Sequence, residues 1–74
     1  MPKIGTWQSI LYELLIRQHK KTLTLSEIYE KCVPILKLIY PNNNTIKASI
    51  RRNLQELRDM KLLVFKEKGV YYML

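Results

Sequence analysis

The side chains best suited to recognition chemistry lie between positions 45 and 61, where arginine, lysine, glutamine and small residues recur at helical spacing. Arginine can pair bidentately with guanine O6 and N7, and glutamine pairs in the same way with adenine N6 and N7. Small side chains let a helix approach a base pair closely, and a methyl group there can contact an apolar feature of the groove. The residues that this pattern predicts as base contacts are Thr45, Ala48, Ser49, Arg51, Arg52 and Gln55.

A second set of side chains suits phosphate contacts, which orient a protein on nucleic acid without reading its sequence. Thr6, at the start of the first predicted helix, offers a further phosphate site. The alternative is a basic surface that contacts only solvent, and the sequence alone does not exclude it. The predicted phosphate contacts are Asn44, Lys47, Arg58, Lys61, Lys66 and Lys68.

The positive charge of the chain is spread along its length. Thirteen lysines and arginines against six acids give a formal net charge of +7 on 74 residues. Residues 1–37 carry +3 and residues 38–74 carry +4, so no basic tail exists. Folding must therefore sort these charges onto a surface, which is typical of a folded nucleic-acid binder.

Composition argues against several other classes of protein. Cys32 and His19 are the only residues of their types, which excludes an internal disulfide framework and a cysteine–histidine metal site. The six carboxylates are scattered, so we expect no catalytic site, metal or cofactor. No apolar run is long enough to cross a membrane, and the first five residues do not resemble a signal peptide. We expect a DNA-associated protein of a prokaryotic or viral cytoplasm.

The first half of the sequence predicts two helices joined by a short strand. Apolar residues at helical spacing predict the first helix from a Thr6 cap to about Gln18, and residues 22–24 form a candidate strand. Thr24 and Glu27 match the capping box of a second helix, on whose apolar stripe Cys32 lies as a structural thiol. Pro34 predicts a kink or break of that helix, with a second short piece beyond it.

The second half predicts a third helix and a hairpin. A turn capped by Asn43 or Asn44 precedes a helix from about Thr45 to Met60. Apolar residues then alternate, which indicates two strands around a turn at Gly69. The order of elements predicts one domain, residues 1–74, mainly α with a small β hairpin: a winged helix-turn-helix of three helices plus a wing.

The residues that carry a family resemblance are Thr24 to Tyr29, Tyr40 to Asn44, Ile46, Ile50, Arg51, Leu54, Gln55, Leu57 to Met60, Phe65, Gly69 and Tyr71. Together they resemble a known family, the C-terminal winged-helix domain of the Dam-replacing (DpnI-type) restriction endonucleases. The resemblance covers residues 6–74 and implies binding of double-stranded DNA that contains N6-methyladenine in a GATC context. Cleavage is not implied, because the nuclease domain that the parent protein would carry is missing from this chain.

Methylated adenine presents an apolar group in the major groove, so a reader needs a small apolar contact flanked by arginines for the outer guanines. Ala48 is the first candidate for this methyl contact, and Trp7 is a second, although a core role suits Trp7 better.

Lys61 departs from the resemblance, because a glycine usually follows the helix there. A lysine forced to positive φ there would cost roughly 1 kcal/mol, so we expect the helix end to be reshaped.

The partner implied is adenine-methylated double-stranded DNA, bound by a monomer. Two other functions stay open at this point. One is a transcriptional regulator that is blind to methylation, and the other is a winged helix that binds protein.

Overall fold

The computed structural model describes residues 5–74, so the N-terminal part of the signal-peptide reading, residues 1–4, lies outside the described residues. Three helices and a three-stranded antiparallel sheet follow one another in the order expected of a winged helix-turn-helix, and the predicted fold class is confirmed. The elements are α1 (Trp7–Ile16), β1 (Thr22–Thr24), α2 (Leu25–Ile39), α3 (Ile46–Asp59), β2 (Leu63–Glu67) and β3 (Val70–Met73).

Local hydrogen bonds fix the start of α1. The Ser9 N–H donates to the Thr6 hydroxyl oxygen at 3.1 Å, which confirms the predicted N-cap. The helix ends at Ile16, two residues before the predicted end. Leu11 and Leu15 of its apolar face are almost completely buried, so α1 is held by its packing against the core.

The strand order is β1-β3-β2, so the last strand of the chain lies in the middle of the sheet. We call the hairpin of β2 and β3 the wing. The short segment predicted as a strand, β1, pairs with the free edge of β3 and adds a third strand to the wing. Leu23 of β1 pairs with Tyr71 of β3, and both are buried. A two-stranded hairpin is marginal by itself, and β1 gives β3 a hydrogen-bonded neighbour on its second edge.

A complete capping box starts α2. The Glu27 N–H donates to the Thr24 hydroxyl oxygen at 3.1 Å, and the Thr24 N–H donates to Glu27 Oε1 at 3.0 Å, as predicted. Lys20 forms an ion pair with the same carboxylate. The hydrogen bond from Lys20 and that from the Thr24 N–H hold the pKa of Glu27 at about 2, well below its ordinary value of 4.5.

The interruption predicted at Pro34 is wrong in one respect, because no separate second helical piece forms. A single helix of 15 residues continues through the proline. The proline removes the hydrogen bond that would reach the Glu30 carbonyl. Both residues lie on the exposed side of α2, where water can satisfy that carbonyl.

One hydrophobic core joins all six elements. Cys32 lies inside it, and burial raises the pKa of its thiol to about 11, as suits an inert structural cysteine. Tyr71 and Met73 of β3 bring the sheet against the helices. Besides Cys32, the largest fully buried side chains are Leu11, Leu15, Ile28, Leu36, Ile50, Leu54, Leu57 and Leu63.

The end of α3 keeps the geometry that glycine normally provides, and it does so with a lysine. Lys61 has a φ of +63°. Its N–H donates to the Arg58 carbonyl at 2.9 Å, and the Leu62 N–H donates to the Leu57 carbonyl at 3.0 Å. These two bonds are those of a Schellman motif, with Lys61 at the left-handed position. The expected reshaping of the helix end is therefore wrong, and the lysine adopts the strained conformation instead.

Replacing Lys61 with glycine should stabilise the domain. Glycine adopts positive φ without the steric cost of a Cβ atom, so we expect Lys61→Gly to raise the free energy of unfolding by about 0.5–1 kcal/mol. Urea unfolding measures it, with Lys61→Ala as the control that keeps the Cβ atom and should give no such gain. Equal stability of the glycine and alanine variants would show that positive φ at position 61 does not strain the lysine.

The capping box predicts a specific loss of stability in acid. Because the pKa of Glu27 is lower in the folded chain than its ordinary value of 4.5, its stabilisation is complete above pH 4.5 and is lost as the pH falls to about 2. Glu27→Gln keeps an acceptor for the capping box but has no charge to pair with Lys20. Between pH 4.5 and pH 2, the melting temperature of this variant should therefore fall less than that of the wild type. Glu30→Gln, on the exposed side of α2, is the matched control and should follow the wild type.

Candidate nucleic-acid interface

The rotation of α3 about its axis is fixed by its apolar stripe. Ile46, Ile50, Leu54 and Leu57 are buried and face the other helices and β2. Asn53 is buried with them, and its side-chain NH₂ donates to the Ser49 carbonyl at 2.7 Å. The opposite side of the helix is therefore turned to solvent along its whole length.

The predicted base contacts lie on the accessible part of α3 and at its start. Thr45, Ala48, Arg51, Arg52 and Gln55 are exposed, and Ser49 is half-buried at the margin of the core. At 100° per residue, Ala48, Gln55 and Arg52 share the side opposite the buried stripe. The structure thus brings the predicted residues onto one helical surface, and their contacts with bases stay predictions.

Charge is unequal between the two halves of this helix. The first half carries Lys47, Arg51 and Arg52 without an acid, whereas the second half carries Glu56 and Asp59. Phosphates repel carboxylates, so a DNA duplex would meet the amino-terminal half of α3 most favourably. This is the half that helix-turn-helix proteins place against base edges.

The amino end of α3 is organised by Asn43. The Thr45 N–H and the Thr45 hydroxyl both donate to Asn43 Oδ1, at 2.8 and 3.1 Å. Thr45 occupies the N-cap position but makes no side-chain cap hydrogen bond, and the helix starts at Ile46. The predicted cap by Asn43 or Asn44 is therefore wrong, because the N-cap position belongs to Thr45. Asn43, two positions before it, holds Thr45 in a turn instead.

A cleft of about 590 Å³ lies between α2 and the start of α3. Lys37, Lys47 and Arg51 line it, and no acidic residue does. Lys37 did not emerge from the sequence, although its place in the last turn of α2, just before the asparagine-rich turn, could have signalled it. The remaining lining residues are Val33, Pro41, Asn43, Asn44, Thr45, Ile46 and Ala48.

Two cations on one flank of α3 lie over aromatic rings. The Lys47 ammonium is 5.2 Å from the centre of the Tyr29 ring of α2. The Arg58 guanidinium is 4.7 Å from the centre of the Phe65 ring of β2, and it also bonds to Asp59 at 3.4 Å. Arg58, predicted as a phosphate contact, is thus partly neutralised within the chain.

The wing carries two further predicted phosphate contacts. The Lys66 ammonium lies 5.0 Å from the centre of the Tyr72 ring, and Lys68 is exposed in the turn. Gly69, at φ +74°, shapes this turn, and its carbonyl accepts a hydrogen bond from the Leu25 N–H at 2.8 Å. The tip of the wing is therefore tied to the start of α2.

Residues 5–73 match the protein family described as the Dam-replacing HTH domain. The chain belongs to this family. The match confirms the resemblance drawn from the sequence, and a helix-turn-helix family of this kind implies binding to double-stranded DNA. The Dam-replacing HTH domain is a DNA-binding unit that is not itself catalytic. No curated protein matches the chain.

In this Dam-replacing HTH domain, Trp7 packs against the core. Its ring stacks on Tyr40 with centroids 5.7 Å apart and planes 18° from parallel. The indole Nε1 is buried and has no hydrogen-bond partner among residues 5–74. These contacts agree with the core role favoured for Trp7, and its contact with a methyl group stays a prediction.

Metal and membrane signals are absent from the part of this domain that the structure describes. No cluster of three or more histidine, cysteine, aspartate or glutamate side chains is placed to hold a metal ion in residues 5–74. Among the same residues, no helix is long and apolar enough to cross a bilayer.

Proposed function

We propose that this domain reads N6-methyladenine in double-stranded DNA, in a GATC-like site, by placing the amino-terminal half of α3 in the major groove. The observation that carries the proposal is the acid-free half of α3, where small residues and arginines share the accessible surface. Family membership supports DNA as the partner. The family's description as Dam-replacing supports methylated adenine in a GATC context.

The two kinds of residue on α3 suit the two kinds of feature in a methylated GATC. Both N6-methyl groups lie near the central A–T step, and Ala48 offers a small apolar surface at the middle of the exposed side. Arg51 and Arg52 flank it and can each form a bidentate pair with an outer guanine. A bulky or charged residue at position 48 would keep the helix from approaching the methyl groups.

Phosphate contacts fall to the residues around this surface. Lys47 and Asn44 line the cleft beside the start of α3, while Lys66 and Lys68 project from the wing. They orient the duplex without reading it. Arg58 has the weakest claim to this role, because Phe65 and Asp59 already engage it.

The chain by itself binds DNA without cutting it. This part of the proposal rests on the helix-turn-helix family, which is not catalytic. We further propose that one copy of the domain binds one site, in a DNA-associated protein whose parent form carries a nuclease domain.

A binding comparison tests the methyl reading. At about 150 mM salt, where nonspecific phosphate binding is weak, fully methylated GATC duplex should bind at least tenfold more tightly than the unmethylated duplex of the same sequence. Fluorescence anisotropy with labelled duplexes measures this, with hemimethylated DNA as a third arm. Equal, tight binding of both duplexes would indicate a methylation-blind regulator, and no binding of any duplex would indicate a protein-interaction module.

Two substitutions separate base reading from phosphate anchoring. Arg52→Ala should cost about 1–3 kcal/mol for the preferred duplex and reduce discrimination between sequences. Lys66→Ala should weaken all duplexes alike and lower the salt dependence by about one unit of slope. Arg17→Ala, an exposed arginine of α1 paired with Glu13, is the charge-matched control. The reverse pattern would mean that the roles of α3 and the wing have been exchanged.

A further inference from the structure

Aromatic side chains follow the basic flank of α3 from one end to the other. Lys47, Arg51 and Arg58, which we call the cation row, lie at 100°, 140° and 120° around the helix, measured from the buried Ile46. All three therefore point to the same side of α3. Lys47 faces a ring of α2, and Arg58 faces a ring of the sheet.

Two members of the cation row lie over aromatic rings. Tyr29 lies beneath Lys47, and Phe65 lies beneath Arg58. Burial raises the pKa of Tyr71, and the charge of Arg51, which lies between these two cations along α3, opposes that rise. Phe65 and Tyr71 also pack edge to face, with ring centres 4.7 Å apart.

Among these pairs, only the pair of Lys47 and Tyr29 combines a ring contact with a place in the acid-free half of α3. Arg58 lies beside Asp59 in the acidic half, so its charge is partly satisfied. Lys47 is exposed, lines the cleft next to α3, and forms no ion pair within the part of the chain that the structure describes. Its ammonium keeps donors free for a ligand while the ring contacts one side of it.

We propose that Tyr29 is a positioning residue for DNA binding, which holds the Lys47 ammonium where one phosphate of the duplex must lie. The inference rests on the proposed function and deepens it, since it names a residue on α2 that no base or phosphate need touch. A free lysine side chain loses much rotational freedom when a phosphate immobilises it. A lysine already held over a ring loses less, so the same contact binds more tightly.

The ring contact itself can be observed in the free protein. Protons above an aromatic ring resonate upfield. The Lys47 ε-methylene protons should therefore be shifted upfield of those of the exposed lysines other than Lys66, which lies over the Tyr72 ring. The shift should persist in Tyr29→Phe, which keeps the ring, and vanish in Tyr29→Leu. Lys47 protons at the ordinary lysine position in the wild type would overturn the proposal before any DNA is added.

A double-mutant cycle tests the effect on binding. Tyr29→Leu should weaken binding to the preferred duplex about threefold, with the preference between duplexes unchanged, and Tyr29→Phe should restore it. In the Lys47→Ala background, Tyr29→Leu should change the affinity by less than about 1.5-fold, because the group it positions is gone. Tyr12→Leu, which removes a half-buried ring of α1, is the matched control and should bind like the wild type.

The outcomes separate this inference from the function on which it rests. If the wild type binds duplex DNA and Tyr29→Leu binds equally well, only the positioning role fails. The same holds if Tyr29→Leu weakens binding as much without Lys47 as with it, because the tyrosine would then act through the fold. If the wild type binds no duplex, the proposed function and the inference fail together.

Discussion

The burial of the apolar stripe on α3 is the interaction on which the rest of the interface depends. Ile50, Leu54 and Leu57 have no measurable exposure, and they meet side chains from every other layer of the fold. A helix held on one side in this way has a fixed rotation. That rotation decides that Ala48 and Arg52 face solvent, and any shift of the stripe would move both out of reach of a common ligand.

Periodicity made most of the fold readable from the sequence. The stripe of α3, the capping box at Thr24 and the turn at Gly69 each depend on residues close together in the chain, and each was found where expected. The central position of β3 depends on pairing between residues 22–24 and 70–72, which no local pattern reveals. Pro34 is the opposite case, in which a local preference is misleading. Proline favours a break in the helix, but α2 continues through it because the helix is packed on both sides of this position.

The site was readable to a similar extent. Residue type and helical spacing placed the candidate contacts on α3, because they depend on one element alone. Lys37 and Tyr29 were missed, since both belong to α2 and acquire meaning only where α2 lies against α3. The restraint of Arg58 by Phe65 was missed for the same reason. Contacts between elements therefore decide which cations remain available to a ligand.

The central place of β3 also bears on how the chain acquires its structure during synthesis. β1 and β2 do not pair with each other, and each joins the sheet only through β3, which is synthesised after both of them. The bond from Leu25 to Gly69 likewise waits for residues near the end of the chain. Helices can form early from local contacts, but a sheet that is closed by its final strand requires loop closure across almost 50 residues. The domain thus becomes complete only after residue 73 has left the ribosome, and a nascent chain stopped before it would expose two unpaired strand edges.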